Sequence, residues 1–250
     1  MTITTNNQEI FYEEQGEGPA VLLLHGWGTD GTLFAPLMKL LARKYRVLAL
    51  DFPGFGKSPA PPAPWAVDDY ADLVLGFLEA LGIAECALLG HSFGGRVILK
   101  LCARQLEAPK FTKIILVGAA GIKPAPNPKA SGRAKRYQRV KKLLKPFPKL
   151  MERARRHYGS ADYRAASPLM RQVLVNTVNE DLSHVLPLVT QEALLIWGRN
   201  DEQTPLSDGE RMEKEMPNAG LVILENAGHY AFIERQEQFL RVMASFMQIT

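Results

Sequence analysis

Residues 88–97 read LLGHSFGGRV, and this stretch is the most informative part of the sequence about fold class. It joins an apolar, strand-like run to a helix-like run through Gly90-His91-Ser92-Phe93-Gly94, which has the pattern Gly-x-Ser-x-Gly. This pattern is typical of a sharp turn from strand to helix, with glycine where a side chain would collide with nearby backbone. The turn exposes a serine hydroxyl, which becomes a good nucleophile when it is held beside a base. Ser92 is therefore the predicted nucleophile.

Short apolar runs alternate with helix-like stretches on both sides of this turn. The predicted strands are 2–5, 10–14, 20–24, 46–50, 86–89, 114–117, 193–197 and 221–225. The predicted helices are 30–42, 67–81, 93–105, 207–216 and 236–247. Continuous apolar runs are typical of strands buried on both faces, and the alternation favours right-handed parallel crossovers. The sequence thus predicts an α/β fold with a mostly parallel central sheet flanked by helices, opened by an antiparallel hairpin at Asn6-Asn7.

A segment of different composition interrupts this alternation after the sixth predicted strand. Residues 121–190 hold 15 Lys or Arg against 4 Asp or Glu, whereas the net charge of the whole chain is +4. The segment has no convincing strands, but helical stretches are predicted at 132–144, 150–158 and 168–177. We interpret residues 122–187 as a helical basic cap between two core parts, 1–121 and 188–250. A disordered basic loop is the alternative, which the apolar content of the segment disfavours.

Asp201 and His229 supply an acid and a base after two late predicted strands. Asp201 ends the stretch WGRND at 197–201, and His229 follows Ala227-Gly228. Parallel strands gather their functional residues beyond their carboxyl ends, so both side chains are expected near Ser92. There His229 would accept the hydroxyl proton, and Asp201 would orient the imidazole.

Other residues compete for these two roles. The rival acids are Asp208 and Glu202. The rival bases are His25, His91, His157 and His184. We favour His229 because it alone follows the acid beyond a late strand.

The chain resembles the capped α/β-hydrolase superfamily, especially its small bacterial esterases and the related C–C bond hydrolases. Five stretches carry the resemblance, in the family's order: LLLHGWG, LALDFPGFGKS, LLGHSFGGRV, LLIWGRNDEQTP and LENAGHYAFIERQEQF. The order Ser92, Asp201, His229 also matches that of the family. The resemblance covers the core, about three quarters of the chain, and implies the α/β-hydrolase fold with a helical cap inserted after the sixth strand.

The resemblance also implies further site residues. The backbone N–H groups of Trp27 and Phe93 would form the oxyanion hole, which holds the charged oxygen of the tetrahedral intermediate. Asp51 to Ser58 would form a structural turn near the site. The candidate residues of the substrate pocket are His25, Gly26, Gly28, His91 and Tyr230.

The implied activity is hydrolysis of a carboxylic ester with a small or medium acyl group, without a cofactor. C–C hydrolysis of vinylogous diketones is an alternative, although the hydrolases that perform it often have Asn where this chain has His91. Amide hydrolysis and non-catalytic binding of a small molecule on the same fold are further alternatives. Ser92 stands where haloalkane dehalogenases and similar epoxide hydrolases have Asp, which excludes those activities.

Composition limits the remaining function classes. No clustered His, Cys or carboxylate set has metal-ligand spacing, so no metal is expected. Gly56-Lys57-Ser58 is similar to a phosphate-binding loop, but Asp51 stands where that loop requires glycine. The N-terminus lacks the pattern of a signal peptide, and the two cysteines, Cys86 and Cys102, suggest buried thiols. We therefore expect a cytoplasmic protein.

The expected partner is a small-molecule ester, and no nucleic acid is expected. The basic cap could have weak affinity for anionic substrates or membrane surfaces, as basic stripes often do. Its basic residues include Arg133, Lys135, Arg136, Arg139, Lys141, Lys142 and Lys145. The sequence leaves the oligomeric state open.

Overall fold

The computed structural model describes residues 1–123, 147, 150–151 and 160–249. Its strands are β1 Thr2–Thr5, β2 Gln8–Gln15, β3 Ala20–Leu24, β4 Arg46–Leu50, β5 Glu85–His91, β6 Lys110–Val117, β7 Glu192–Gly198 and β8 Ala219–Leu224. Its α-helices are α1 Ala35–Leu41, α2 Val67–Ala80, α3 Phe93–Ala103, α4 Ala161–Ala165, α5 Pro168–Asn179, α6 Leu206–Glu215, α7 Ala231–Glu234 and α8 Gln236–Phe246. Two 3₁₀ segments, Gly31–Phe34 and Ser183–Leu188, complete these elements.

The described strands form one sheet in the order β1-β2-β4-β3-β5-β6-β7-β8. Strands β3 to β8 pair in parallel, whereas β1 and β2 pair antiparallel with their neighbours. Asn6 and Asn7 connect β1 to β2 with φ values of 51° and 58°. Asparagine tolerates this left-handed region better than most residues, which explains why it marks the turn. The predicted α/β fold, its mostly parallel sheet and its opening hairpin are confirmed.

Both faces of the sheet are covered, as the continuous apolar runs predicted. Along β3, Leu22 and Leu24 pack into a core with α2 and α3, whereas Val21 and Leu23 pack into a second core with α1 and α8. Adjacent side chains of a strand point to opposite faces, so a strand between two helical layers needs apolar residues at every position. The sheet is therefore a rigid platform whose carboxyl edge carries the loops.

The predicted helix 30–42 is instead a 3₁₀ turn followed by α1. Pro36 occupies the first turn of α1, where its missing N–H costs no helical hydrogen bond. Asp30 ends the preceding loop, and its side chain accepts a hydrogen bond from Thr32 N at 3.0 Å. The chain thus starts a new helix at the proline, because proline there would disrupt a continuous one.

After β6, the described residues between 160 and 188 are mostly helical. The predicted helix 168–177 is α5, which buries Met170, Val173 and Leu174. Ser167 caps it by accepting a hydrogen bond from Met170 N at 3.3 Å. Helix 132–144, most of helix 150–158 and the basic residues 133–145 lie outside the described residues. The division into cap and core therefore stays a prediction.

Two compositional expectations can be compared with the structure. Cys86 and Cys102 are both buried and unbridged, which confirms the buried thiols. None of the helices in the described ranges is long and apolar enough to cross a membrane.

The turn between β5 and α3 is packed against β3 without room for side chains. A Cβ atom on Gly94 would lie 2.1 Å from the carbonyl oxygen of Leu24, and one on Gly90 would lie 2.5 Å from Gly94 C. Both glycines of the Gly-x-Ser-x-Gly motif are thus required by close backbone approach. This contact fixes the first turn of α3 against the carboxyl end of β3.

We predict that Gly94→Ala lowers the free energy of unfolding by about 1–3 kcal/mol or more, because backbone must move to admit the methyl group. Alanine is otherwise a better helix former than glycine, so helix propensity alone would make this substitution stabilising. The matched control is Gly220→Ala in β8, where a Cβ atom would meet nothing within 4 Å. Urea unfolding of both variants measures the difference, and equal destabilisation would contradict the packing argument.

Candidate active site

Ser92 lies between β5 and α3 in a strained backbone conformation. Its φ is 49° and its ψ is −106°, a region that residues with a side chain rarely adopt. Its N–H donates to the carbonyl of Val117 at 3.1 Å, and its own carbonyl accepts from the N–H groups of Ala120 (2.9 Å) and Arg96 (3.3 Å). These hydrogen bonds, from β6, the loop after it and α3, hold the strained turn in place. The side chain is half-buried at the edge of a cavity.

Asp201 and His229 are brought together by the loops after β7 and β8. His229 Nδ1 donates to Asp201 Oδ2 at 2.8 Å. Asp201 Oδ1 accepts from the N–H groups of Gln203 at 2.8 Å and Thr204 at 2.9 Å. A carboxylate that accepts from Nδ1 fixes the tautomer, so that Nε2 is left without a proton and can act as a base.

The hydrogen bonds also set the charge of Asp201. Burial alone would raise the pKa of this carboxyl, but the hydrogen bonds from His229 and Thr204 outweigh it and hold the pKa below its ordinary value. Asp201 is therefore ionised at neutral pH, beside an imidazole that would gain a positive charge during proton transfer.

Ser92 and His229 line the same cavity of about 670 Å³, together with residues of α4, α5 and the loops after β3, β6 and β7. Within the described structure the two side chains are not hydrogen-bonded to each other. Catalytic hydrogen bonds are often long or absent in a ligand-free enzyme and tighten when substrate binds. The structure thus brings the predicted nucleophile and the predicted base to the wall of one chamber.

The two rival acids take no part in orienting His229. Asp208 and Glu202 line the cavity, but the hydrogen bond to the imidazole comes from Asp201. Burial raises the pKa of Asp208 to about 6; nearby Arg211 opposes this increase and the charge of Asp201 adds to it. Asp208 is thus a poorly solvated carboxyl at the cavity wall.

The rival histidines have structural surroundings. His25 is fully buried, its Nδ1 donates to the Gly26 carbonyl at 2.7 Å, and its Nε2 accepts from Phe52 N at 2.8 Å. The prediction that His25 lines the pocket was wrong, because both ring nitrogens tie the loop after β3 to the loop after β4. His184 is exposed, and His157 lies outside the described residues.

His91 lines the cavity as predicted, but it is not available as a base. Its Nδ1 donates to the Val117 carbonyl at 3.0 Å. Burial, with the neighbouring His229, lowers its pKa to about 3, so the ring is neutral. The rings of His91 and His229 have centroids 4.8 Å apart, so His91 packs against the oriented base.

Trp27 and Phe93 are the residues whose N–H groups the resemblance assigns to an oxyanion hole, which stays a prediction. Both residues line the cavity, and among the described residues neither N–H has a hydrogen-bond acceptor. Phe93 is the first residue of α3, where N–H groups lack a helical partner and carry the positive end of the helix dipole. The rings of Trp27 and Phe93 pack edge to face, with their centroids 5.9 Å apart. These two donors are therefore free to bind a negatively charged oxygen.

The three other pocket candidates have different positions. Gly26 lines the cavity, and a Cβ atom there would lie 2.9 Å from His91 Cδ2. Tyr230 also lines it and packs against His91. Gly28 was wrongly predicted to line the pocket: it is exposed, and its φ of 74° serves the turn after β3.

Sequence reasoning missed Thr204. Its Oγ1 lies 2.8 Å from Asp201 Oδ2 and 3.0 Å from the Gly118 carbonyl, and its N–H binds the same carboxylate. The sequence did contain a signal for this contact. An Asp side chain in a loop often accepts hydrogen bonds from the N–H groups two and three residues later, which forms a local turn. The predicted structural turn that begins at Asp51 is also held by a carboxylate: the Asp51 side chain accepts hydrogen bonds from Gly31 N and Lys57 N, both at 2.8 Å.

In the part of the chain that the structure describes, no group of three or more His, Cys, Asp or Glu side chains could hold a metal ion.

We predict that Asp208→Asn stabilises the protein at pH 8 but not at pH 4. The folded-state pKa of about 6 exceeds the unfolded value of about 3.9, so a stabilising contribution present below pH 4 is lost as pH rises through 6. We expect the free energy of unfolding to rise by about 1–2 kcal/mol at pH 8. This value is smaller than the full pKa difference would give, because the carboxyl faces a cavity and is partly screened by solvent. Thermal unfolding across this pH range measures it, with the exposed Glu210→Gln on the same helix as control. A gain that does not depend on pH would contradict the assignment.

Comparison with known proteins agrees with this geometry. The profile of the Alpha/beta hydrolase family matches residues 21–242. The pimeloyl-[acyl-carrier protein] methyl ester esterase of Chromobacterium violaceum is 27% identical, over 96% of this chain and 98% of that protein. The 2-hydroxy-6-oxononadienedioate/2-hydroxy-6-oxononatrienedioate hydrolase of Burkholderia vietnamiensis is 29% identical, over 96% of this chain and 91% of that protein.

A solved structure of similar shape is that of a bacterial membrane phospholipase A. It superposes with a TM-score of 0.80 at 28% identity, covering 99% of this chain and 85% of that one. The family match spans most of the chain and includes every element that carries a site residue. This protein therefore belongs to the α/β-hydrolase family.

Proposed function

We propose that this protein hydrolyses carboxylic esters with small or medium acyl groups through an acyl-enzyme on Ser92. The observation that carries the proposal is the 2.8 Å hydrogen bond from His229 Nδ1 to Asp201 Oδ2. It leaves an oriented ring nitrogen, Nε2, without a proton on a histidine that lines the same chamber as Ser92. The partner is then a small-molecule ester, as expected from the sequence.

The acylation half of the cycle uses each group once. Ser92 Oγ attacks the ester carbonyl carbon while its proton passes to His229 Nε2. The carbonyl oxygen becomes an oxyanion that accepts hydrogen bonds from the N–H groups of Trp27 and Phe93. When the carbon–oxygen bond of the ester breaks, His229 returns the proton to the leaving alcohol. Losing one such oxyanion donor typically costs about 100- to 1,000-fold in rate.

Deacylation repeats these steps with water as the nucleophile. His229 takes a proton from water, the hydroxide oxygen attacks the acyl carbon, and the proton then returns to Ser92 Oγ as the acid leaves. Asp201 stays ionised throughout and stabilises the imidazolium, which its lowered pKa favours. No cofactor enters the cycle.

The cavity supports an ester of modest size. Its volume of about 670 Å³ lies in the range of small-molecule sites. Leu174 and Val178 of α5 and Ile122 give it an apolar wall that suits an acyl chain. The names of two similar proteins, a methyl ester esterase and a phospholipase A, also describe ester substrates.

C–C bond hydrolysis is the second candidate, favoured by the Burkholderia vietnamiensis relative, which is named for such an activity. The neutral His91, at the position that Asn often occupies in such enzymes, counts against it. Non-catalytic binding is disfavoured by the free oxyanion donors and the oriented base. The cytoplasmic location and the affinity of the basic cap for anions or membranes stay predictions.

We predict that Ser92→Ala lowers kcat for p-nitrophenyl esters, from acetate to octanoate, by at least about 1,000-fold, because the nucleophile is lost. Ser245→Ala, an exposed hydroxyl on α8, is the matched control and should keep full activity. Circular dichroism checks that both variants are folded. Unchanged turnover in folded Ser92→Ala would overturn the assignment of the nucleophile.

The wild-type protein also decides between the two candidates. Hydrolysis of short and medium esters supports the esterase proposal, and the chain-length profile gives the acyl preference. Turnover of a dienone substrate without turnover of any ester would replace it with C–C hydrolysis.

A further inference from the structure

Arg96 is a buried cation in the wall of the catalytic cavity. It follows Ser92 by four residues on α3, so it lies one helical turn away, about 6 Å along the helix axis and on the same face. Its side chain is only 7% exposed, yet it lines the chamber that contains Ser92 and His229. The proposed mechanism has no use for a positive charge at this position.

Most of the hydrogen-bonding capacity of Arg96 is unused. Its Nη1 donates to the Glu180 carbonyl at 2.6 Å, and the described residues offer its guanidinium no other acceptor. A guanidinium has five N–H donors. The remaining nitrogens are not sealed in the protein interior, since the one fully buried side-chain atom without a partner in the described structure is Gln191 Oε1. They therefore retain accessible surface, and Arg96 is a lining residue of the cavity.

The nearest carboxylates have other partners. Glu180 Oε1 accepts from Lys100 Nζ at 2.6 Å. Asp181 Oδ1 accepts from the hydroxyl and the N–H of Ser183, at 2.6 and 3.0 Å. Both carboxylates favour the charged form of Arg96 from a distance, while burial lowers its pKa, and an arginine stays protonated under these conditions. The cavity thus contains an ionised guanidinium that forms no ion pair with any residue the structure describes.

The cavity also has acidic lining residues, which are Asp162, Glu202 and Asp208. Among the described residues, none of these three carboxylates lies within ion-pair distance of Arg96. The charge of Arg96 is therefore not neutralised by a carboxylate of the described cavity wall.

An unpaired buried charge is costly, so its retention calls for a compensating partner. A structural role is one explanation, because Arg96 joins α3 to the segment after α5. A single hydrogen bond to a neutral carbonyl would not require a charged group, however. A planar guanidinium with free donors matches a carboxylate, which it can bind through two parallel hydrogen bonds.

We propose that Arg96 forms a subsite for a carboxylate carried by the ester substrate, so that the preferred substrates are half-esters of dicarboxylic acids. This inference rests on the proposed esterase function and adds a substrate class to it. The carboxylate binds Arg96 while the ester carbonyl, about one helical turn away, lies at Ser92 and the two N–H donors.

The test compares the monomethyl esters of succinic, glutaric, adipic and suberic acids with analogues in which an amide replaces the free carboxylate. Released methanol gives kcat/KM for each compound. We expect the best acid to exceed its amide analogue by about 10- to 100-fold, as for a hydrogen-bonded charged pair. In Arg96→Gln this ratio should fall to near one, and Arg96→Lys should retain part of it. The amide in each pair corrects for any general loss of activity.

Arg104→Gln is the matched control, because it removes a positive charge at the end of α3 that pairs with Asp68 and Asp72, touches neither Glu180 nor Asp181, and does not line the cavity. Its ratio should equal that of the wild-type protein. If Arg96→Gln does not fold, the wild-type ratio still decides, since a ratio of one or less overturns the proposal. An unchanged ratio in folded Arg96→Gln, or preference for a methyl ester with a terminal ammonium group, overturns it too.

A binding measurement distinguishes failure of the carboxylate subsite from failure of the proposed esterase function. Calorimetry with Ser92→Ala compares monomethyl adipate with its amide analogue in the absence of turnover. Tighter binding of the acid, lost on adding Arg96→Gln, supports the subsite even if no ester is hydrolysed. Equal binding of the two compounds overturns it, whether or not the wild-type protein is an esterase.

Discussion

The crowded turn between β5 and α3 is the constraint on which the rest of the site depends. Gly94 packs against the carbonyl of Leu24 too closely for any Cβ atom, and this contact fixes the start of α3 over β3. The chain enters the helix through the positive φ of Ser92, and both Ser92 and Phe93 line the cavity. One steric contact therefore fixes the turn that carries the proposed nucleophile and one proposed oxyanion donor, and later strands of the same sheet bring Asp201 and His229 to that cavity.

The fold was predictable because its signals are local. Each strand of the parallel sheet is buried on both faces and appears as a continuous apolar run, and Asn6-Asn7 marks the hairpin by its tolerance of positive φ. The details that were missed depend on neighbouring elements. Strand β5 extends to His91 because β6 continues the backbone pairing past the apolar run. The short helix α7 at Ala231–Glu234 was not expected, since four residues carry too little periodicity to detect.

The sequence predicted the chain order of the candidate catalytic residues, but it did not predict which side chains surround them. Motif order and strand ends identified Ser92, Asp201 and His229, and the structure joins the last two by a hydrogen bond. His25 was misplaced because a histidine that satisfies two backbone groups and one that lines a pocket have the same sequence signal. Arg96 was overlooked because a charged residue in a helix usually faces solvent, and its burial comes from the distant segment at Glu180. Contacts of that kind become visible only in three dimensions.

Activation of Ser92 by Asp201 and His229 can be tested by labelling with a fluorophosphonate, followed by intact mass and peptide mapping. We predict one adduct per chain, located on Ser92, and formation at least about 1,000-fold slower in Asp201→Asn, where the imidazole loses its orienting carboxylate. An adduct on another residue, or equal rates in the two proteins, would contradict it.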